Sequence, residues 1–164
     1  MTKAVAISGL AAVVMLGTSA VAECEPGHYR RKAESGRETV VGIGVRWNKT
    51  CQSVGAPEVW LDSAPANGFV CVRTGMVRPR NLLFGGAAHC LQTPMEGVQI
   101  VYRSRSGFRG ADAVGYTLKF PRGTRSLTVD IDVMPATGGA IRPPDSLSER
   151  QPSGRAPECA ALVS

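Results

Sequence analysis

The chain has 164 residues, 43% of them hydrophobic and 20% charged, and its 19 Lys+Arg against 13 Asp+Glu give a formal net charge of +6. That is one domain's worth of chain. Fifteen of the basic residues are Arg, a balance that favours solubility and loose affinity for anionic surfaces and excludes nothing about the fold.

Residues 1–22 read as a signal peptide. Lys3 supplies a positive n-region, Ala4 to Leu16 form an apolar core broken only by Ser8 and Gly9, and Ala20-Val21-Ala22 gives the small-x-small cleavage pattern. The apolar run is too short and too rich in Ala and Gly to span a membrane. Glu23 stands where a lipoprotein signal wants a small residue, so acylation of Cys24 is not expected. Cleavage would remove Lys3 from the 19 basic residues, leaving 18 against 13 acidic ones and a net charge of +5. The expected compartment is secreted or periplasmic.

Residues 23–36 are polar and charged, with His28, Tyr29, Arg30 and Arg31 in succession, and read as a loose N-terminal arm. From 37 to 134, short β-rich runs alternate with Gly, Pro and Asn, the pattern of a single all-β domain built as a sandwich. Strands are expected near Thr39–Trp47, Glu58–Leu61, Gly68–Arg73, Val98–Arg103, Ala113–Phe120 and Ser126–Met134. The last is the cleanest: Leu127, Val129, Ile131 and Val133 alternate with Thr128, Asp130 and Asp132, giving one buried and one wet face. Pro121-Arg122-Gly123 supplies the turn into it. Residues 135–164 hold five Pro and three Gly with few large apolar side chains. Such a segment cannot offset the entropy of ordering, and is expected to be a disordered tail.

The segment Gly107 to Tyr116 carries two turn glycines, Gly107 and Gly110, then Asp112 and Tyr116 four residues apart. In immunoglobulin-like sandwiches, a Tyr near the start of the penultimate strand bonds back to upstream backbone and fixes a corner. Gly107, Gly110, Asp112 and Tyr116 are therefore the expected structural corner, with Val114, Tyr116 and Leu118 on one strand face.

Cysteines stand at 24, 51, 71, 90 and 159. Export makes disulfides the default reading, and no C-x-x-C pair supports a zinc ribbon or a thioredoxin-type site. With an odd number, Cys159 in the tail reads as the unpaired thiol. Cys24, Cys51, Cys71 and Cys90 allow three pairings. Strand-end positions favour Cys51–Cys90, with Cys24 and Cys71 as the other pair.

Ala64-Pro65-Ala66-Asn67-Gly68-Phe69-Val70, Val98 to Tyr102, Gly107-Phe108-Arg109-Gly110-Ala111-Asp112 with Tyr116, and the Leu127–Val133 strand together resemble the bacterial cadherin-like or Ig-like repeat. The resemblance covers about residues 57–134 and implies an Ig-like antiparallel β-sandwich acting as a spacer or binding module. Two features depart from that family: the domain stands alone, and residues 74–96 are an insertion carrying Cys90. Phe84-Gly85-Gly86-Ala87-Ala88-His89-Cys90 is similar to the histidine motif of trypsin-like proteases. The same resemblance would make Asp130 or Asp132 the triad acid. That chemistry needs a serine nucleophile and oxyanion donors. The chain has no Gly-Asp-Ser-Gly-Gly and is too short for two six-stranded barrels.

Arg103, Arg105 and Arg109, interleaved with Tyr102 and Phe108, form a basic and aromatic patch that would suit a polyanion or carbohydrate. A solvated strand end is the plainer explanation. Asp112, Asp130 and Asp132 lack the oxygen-rich loop pattern of a calcium site, and Asn48-Lys49-Thr50 fits a glycosylation sequon. No catalytic, metal or cofactor site is expected. The reading is an exported, non-enzymatic Ig-like module, monomeric, with a protein or glycan partner and no nucleic acid or membrane span. A degenerate trypsin-like fragment and a carbohydrate- or polyanion-binding protein are the alternatives.

Overall fold

A computed structural model describes residues 27–81, 87–138 and 151–159. The expected signal peptide and Cys24 lie outside the described residues. Among those residues the fold is all-β: β1 (Gly27–Glu34), β2 (Glu38–Gly44), β3 (Glu58–Ser63), β4 (Gly68–Val77), β5 (Met95–Ser104), β6 (Gly110–Phe120), β7 (Gly123–Met134) and the two-residue β8 (Gly154–Arg155). One turn of 3-10 helix, Ala88–Cys90, interrupts them. No helix among the described residues is long and apolar enough to cross a membrane.

The strands form two sheets, one ordered β1-β7-β6-β3-β8 and the other β2-β5-β4. Their alternating apolar residues meet in a single cluster. β7 contributes Leu127, Val129, Ile131 and Val133, β6 contributes Val114, Tyr116, Leu118 and Phe120, and the second sheet supplies Val41, Val70, Val72, Val98, Ile100 and Tyr102. Each such side chain removed from water contributes roughly 1.5–3 kcal/mol before chain entropy is counted. A smaller cluster of Val45, Val77, Cys90 and Met95 sits around the Cys51–Cys90 disulfide.

Three features differ from the sequence reading. The arm is a strand: β1 lies parallel on β7, from Gly27 opposite Leu127 to Glu34 opposite Met134, so the fold is mixed rather than purely antiparallel. Its charge conceals its role. Tyr29 and Ala33 alternate onto the core, while Arg30 and Lys32 stand opposite Asp130 and Asp132 of β7. The His28 ring lies 2.8 Å from the Asp130 carboxylate. Cross-strand pairs of opposite charge of this kind each stabilise a sheet modestly.

The second difference is the C-terminal segment. Residues 151–159 strap the side of the molecule where β3 and β4 are outermost. Ala156 donates its N–H to Val59 of β3 (2.9 Å), Pro157 accepts from Val72 of β4 (2.8 Å), and Cys159 donates to the Val72 carbonyl (2.8 Å). The Gln151 side chain copies a strand: its Oε1 accepts from Val70 N–H (2.8 Å) and its Nε2 donates to Val70 C=O (2.7 Å). Backbone pairing and an amide hold this segment, and neither registers as hydrophobicity.

The third difference follows from the second. Cys159 is bonded to Cys71, closing a separation of 88 residues. The pairing of Cys71 with Cys24 is therefore corrected, and Cys159 is not the odd thiol. The favoured Cys51–Cys90 bridge is present. Non-reducing peptide mapping should recover Cys71–Cys159. Removing that bridge as the Cys71→Ser/Cys159→Ser pair should cost about 4.6 kcal/mol in the chain-entropy model. Gln151→Ala should cost about 1–3 kcal/mol, because both polar groups of buried Val70 lose their partner. Chemical denaturation measures both, and values within ~0.5 kcal/mol of wild type would mean the strap contributes little to folding.

Candidate functional site

The expected corner is assembled differently from its spacing. Gly107 and Gly110 take φ of +81° and +117°, which only glycine adopts without strain. The Asp112 carboxylate accepts from Ala66 N–H (2.9 Å) and Asn67 N–H (3.0 Å), pinning the loop before β4. The hydroxyl that reaches it belongs to Tyr102 of β5, donating to Asp112 Oδ2 at 2.9 Å. This bond ties one sheet to the other through the core. Burial, then the neighbouring Asp112 charge, drive the Tyr102 phenol far above its usual pKa. Tyr116 stands in mid-strand between Leu61 of β3 and Leu127 of β7, and its hydroxyl makes no bond to residues 107–112.

The Ala87–Cys90 motif anchors a loop. Ala87 C=O accepts from the Trp47 indole N–H at 3.1 Å, Cys90 bonds Cys51, and the exposed His89 ring sits 3.1 Å from the Lys49 carbonyl. Asp130 faces His28 instead, and among the described residues no carboxylate bonds the His89 ring. Cys51, His89 and Cys90 bring their ligand atoms within 4.8 Å of one another, but the two sulfurs are committed to the disulfide. The Arg103 to Arg109 patch offers little to stack on. Tyr102 is fully buried, Phe108 packs on the core, and Arg103 Nε donates to Gly36 C=O at 3.0 Å.

A different basic and aromatic surface lies on the side away from the strap, where β1 and β2 are the edge strands of their sheets. There the structure forms a groove of about 750 Å³. Tyr29 and Arg31 of β1 make one wall and residues 40–43 of β2 the other. The register shift between Val40 and Gly42 in β2 is a bulge that leaves Val40 exposed while Val41 enters the core. Trp47, Met76, Arg78, Arg80 and Asn81 extend the groove beyond β2. Among the described residues no carboxylate lines it. Arg31, Arg78 and Arg80 are exposed, and none forms an ion pair among the described residues.

Tyr116 reaches this groove. The residue is 2% exposed, and its hydroxyl has no hydrogen-bond partner among the described residues. The hydroxyl lies over Gly42, where any Cβ would collide with it. Burial pushes its pKa up to about 12, with Arg31 opposing and Tyr29 reinforcing the shift. The phenol is therefore neutral at physiological pH and can both donate and accept. Sequence spacing could not reveal this site, because its residues come from β1, β2, β6 and the segment after β4.

Tyr102→Phe should cost about 1.5–3 kcal/mol, the value of a buried bond to a charged acceptor. Tyr116→Phe should stay within ~0.5 kcal/mol of wild type, since no partner is lost. Both phenols have raised pKa values in the folded state, so the stability they confer is complete below pH 10 and declines as pH rises towards 12. Denaturant titration of the two variants, and of wild type from pH 8 to 11.5, tests each statement. The reverse order of the two Phe variants would contradict the bonding described above.

No protein-family model, no curated protein and no solved structure matches this chain, so its function is argued from the geometry of the groove.

Proposed function

We propose that this chain is an exported, non-enzymatic binding module on an Ig-like sandwich, acting in the cell envelope or outside it through the groove beside β1 and β2. The observation that carries the reading is the groove's charge: among the described residues, three exposed guanidiniums and no carboxylate line one concavity. Such a surface attracts and orients an anionic ligand. The leader-like residues 1–22 and two disulfides support export. The polyanion alternative is thus favoured, at the groove instead of at Arg103, Arg105 and Arg109. The protease alternative gains no support from a His89 that faces a backbone carbonyl.

Retention on immobilised heparin separates the two arginine surfaces. The triple variant Arg31→Gln/Arg78→Gln/Arg80→Gln should elute at lower salt, with affinity down on the order of 10-fold, as expected for three exposed ion pairs of ~0.5 kcal/mol each. The control Arg103→Gln/Arg105→Gln/Arg109→Gln removes the same charge and should elute near wild type. Equal losses would mean that net charge alone drives retention, and a loss confined to the control would move the site. A fluorophosphonate probe should leave the protein unlabelled; labelling would contradict the non-enzymatic reading.

A further inference from the structure

We propose that the groove binds a carboxylated sugar, as a short stretch of an acidic polysaccharide, with the carboxylate on Arg31 and a ring hydroxyl on Tyr116. This rests on the anion-binding reading above and narrows it to one ligand chemistry. The first support is the Tyr116 hydroxyl, which lies over Gly42 at the groove and has no hydrogen-bond partner among the described residues. At the groove a ligand can supply that bond. A neutral phenol that donates and accepts matches a sugar hydroxyl, which does the same. A carboxylate could use only the donor half.

The surrounding residues match the rest of such a ligand. Arg31 lies on the same wall as Tyr29, its guanidinium 5.9 Å from the ring centroid. A planar fork for a carboxylate is thus held on that wall, over the Tyr29 ring. Asn81, Gln92 and Gln99 line the same groove, and each amide presents a donor and an acceptor side by side, the arrangement that vicinal hydroxyls satisfy. The groove's 750 Å³ falls within the roughly 300–1,000 Å³ of small-ligand sites, which suits a few sugar units.

The test is calorimetric titration of the disulfide-bonded protein with oligogalacturonate, poly-L-glutamate and maltohexaose. Wild type should bind oligogalacturonate more tightly than poly-L-glutamate and should not bind maltohexaose. Tyr116→Phe should weaken oligogalacturonate roughly 5- to 10-fold, one hydrogen bond's worth, and leave poly-L-glutamate unchanged. Arg31→Gln should weaken both anions. Unchanged melting temperatures confirm that the variants fold. If the two anions bind equally and Tyr116→Phe affects neither, the sugar site is overturned while a general anion groove stands. If neither anion binds in an Arg31-dependent way, both readings fall.

Discussion

At Val70 and Val72, β4 turns backbone donors and acceptors away from β5, and these groups must find partners inside the protein because both residues are buried. The Gln151 amide serves Val70, and the Pro157 carbonyl and Cys159 amide serve Val72. An open edge here would be a template for pairing with another chain. The same nine residues reach β3 through Ala156 and are fixed to β4 by the Cys71–Cys159 bond. One side of the two-sheet stack is therefore closed by backbone pairing and a covalent bond. The arrangement also holds the register of both sheets on that side, so the core residues they share remain opposed.

On the opposite side the two sheets are joined by the short turn between β1 and β2, where Gly36 takes φ of +71° and donates its N–H to Ser104 Oγ at 2.9 Å. Among the described residues no strap crosses there, and the two edge strands leave room between them. Three local features turn that space into a groove with chemistry. The bulge in β2 turns Val40 outward, Gly42 makes room for the Tyr116 hydroxyl, and the parity of β1 puts Tyr29 and Arg31 on one face. The other face of β1 matches its Arg30 and Lys32 with Asp130 and Asp132. The acids of this region thus lie on the outer face, and the groove keeps its positive charge.

Strands with strict alternation were legible in the sequence: Leu127 to Val133 and Val114 to Phe120 occupy the core as their pattern requires. β1 was not, because three of its eight residues are Arg or Lys and only Tyr29 and Ala33 pack inward. The strap was not, because hydrogen bonds and a disulfide order it, and composition reports only apolar area. That omission also misdirected Cys159. The spacing of Asp112 and Tyr116 suggested a corner whose Tyr hydroxyl bonds back to upstream backbone, but Tyr116 stands in mid-strand between Leu61 and Leu127. Asp112 instead meets Tyr102, which lies across the core on the other sheet. The groove is a product of tertiary structure, assembled from residues as far apart as Tyr29 and Leu127.

The most direct test of this account is native-state hydrogen exchange at the β4 edge. If residues 151–159 close the sheets as described, the amides of Val70 and Val72 should exchange as slowly as that of Ile100 on central strand β5. Exchange of Val70 and Val72 at the rate of loop amides such as Gly55 and Gly107 would contradict it, and would leave the closed side of the molecule without its strap.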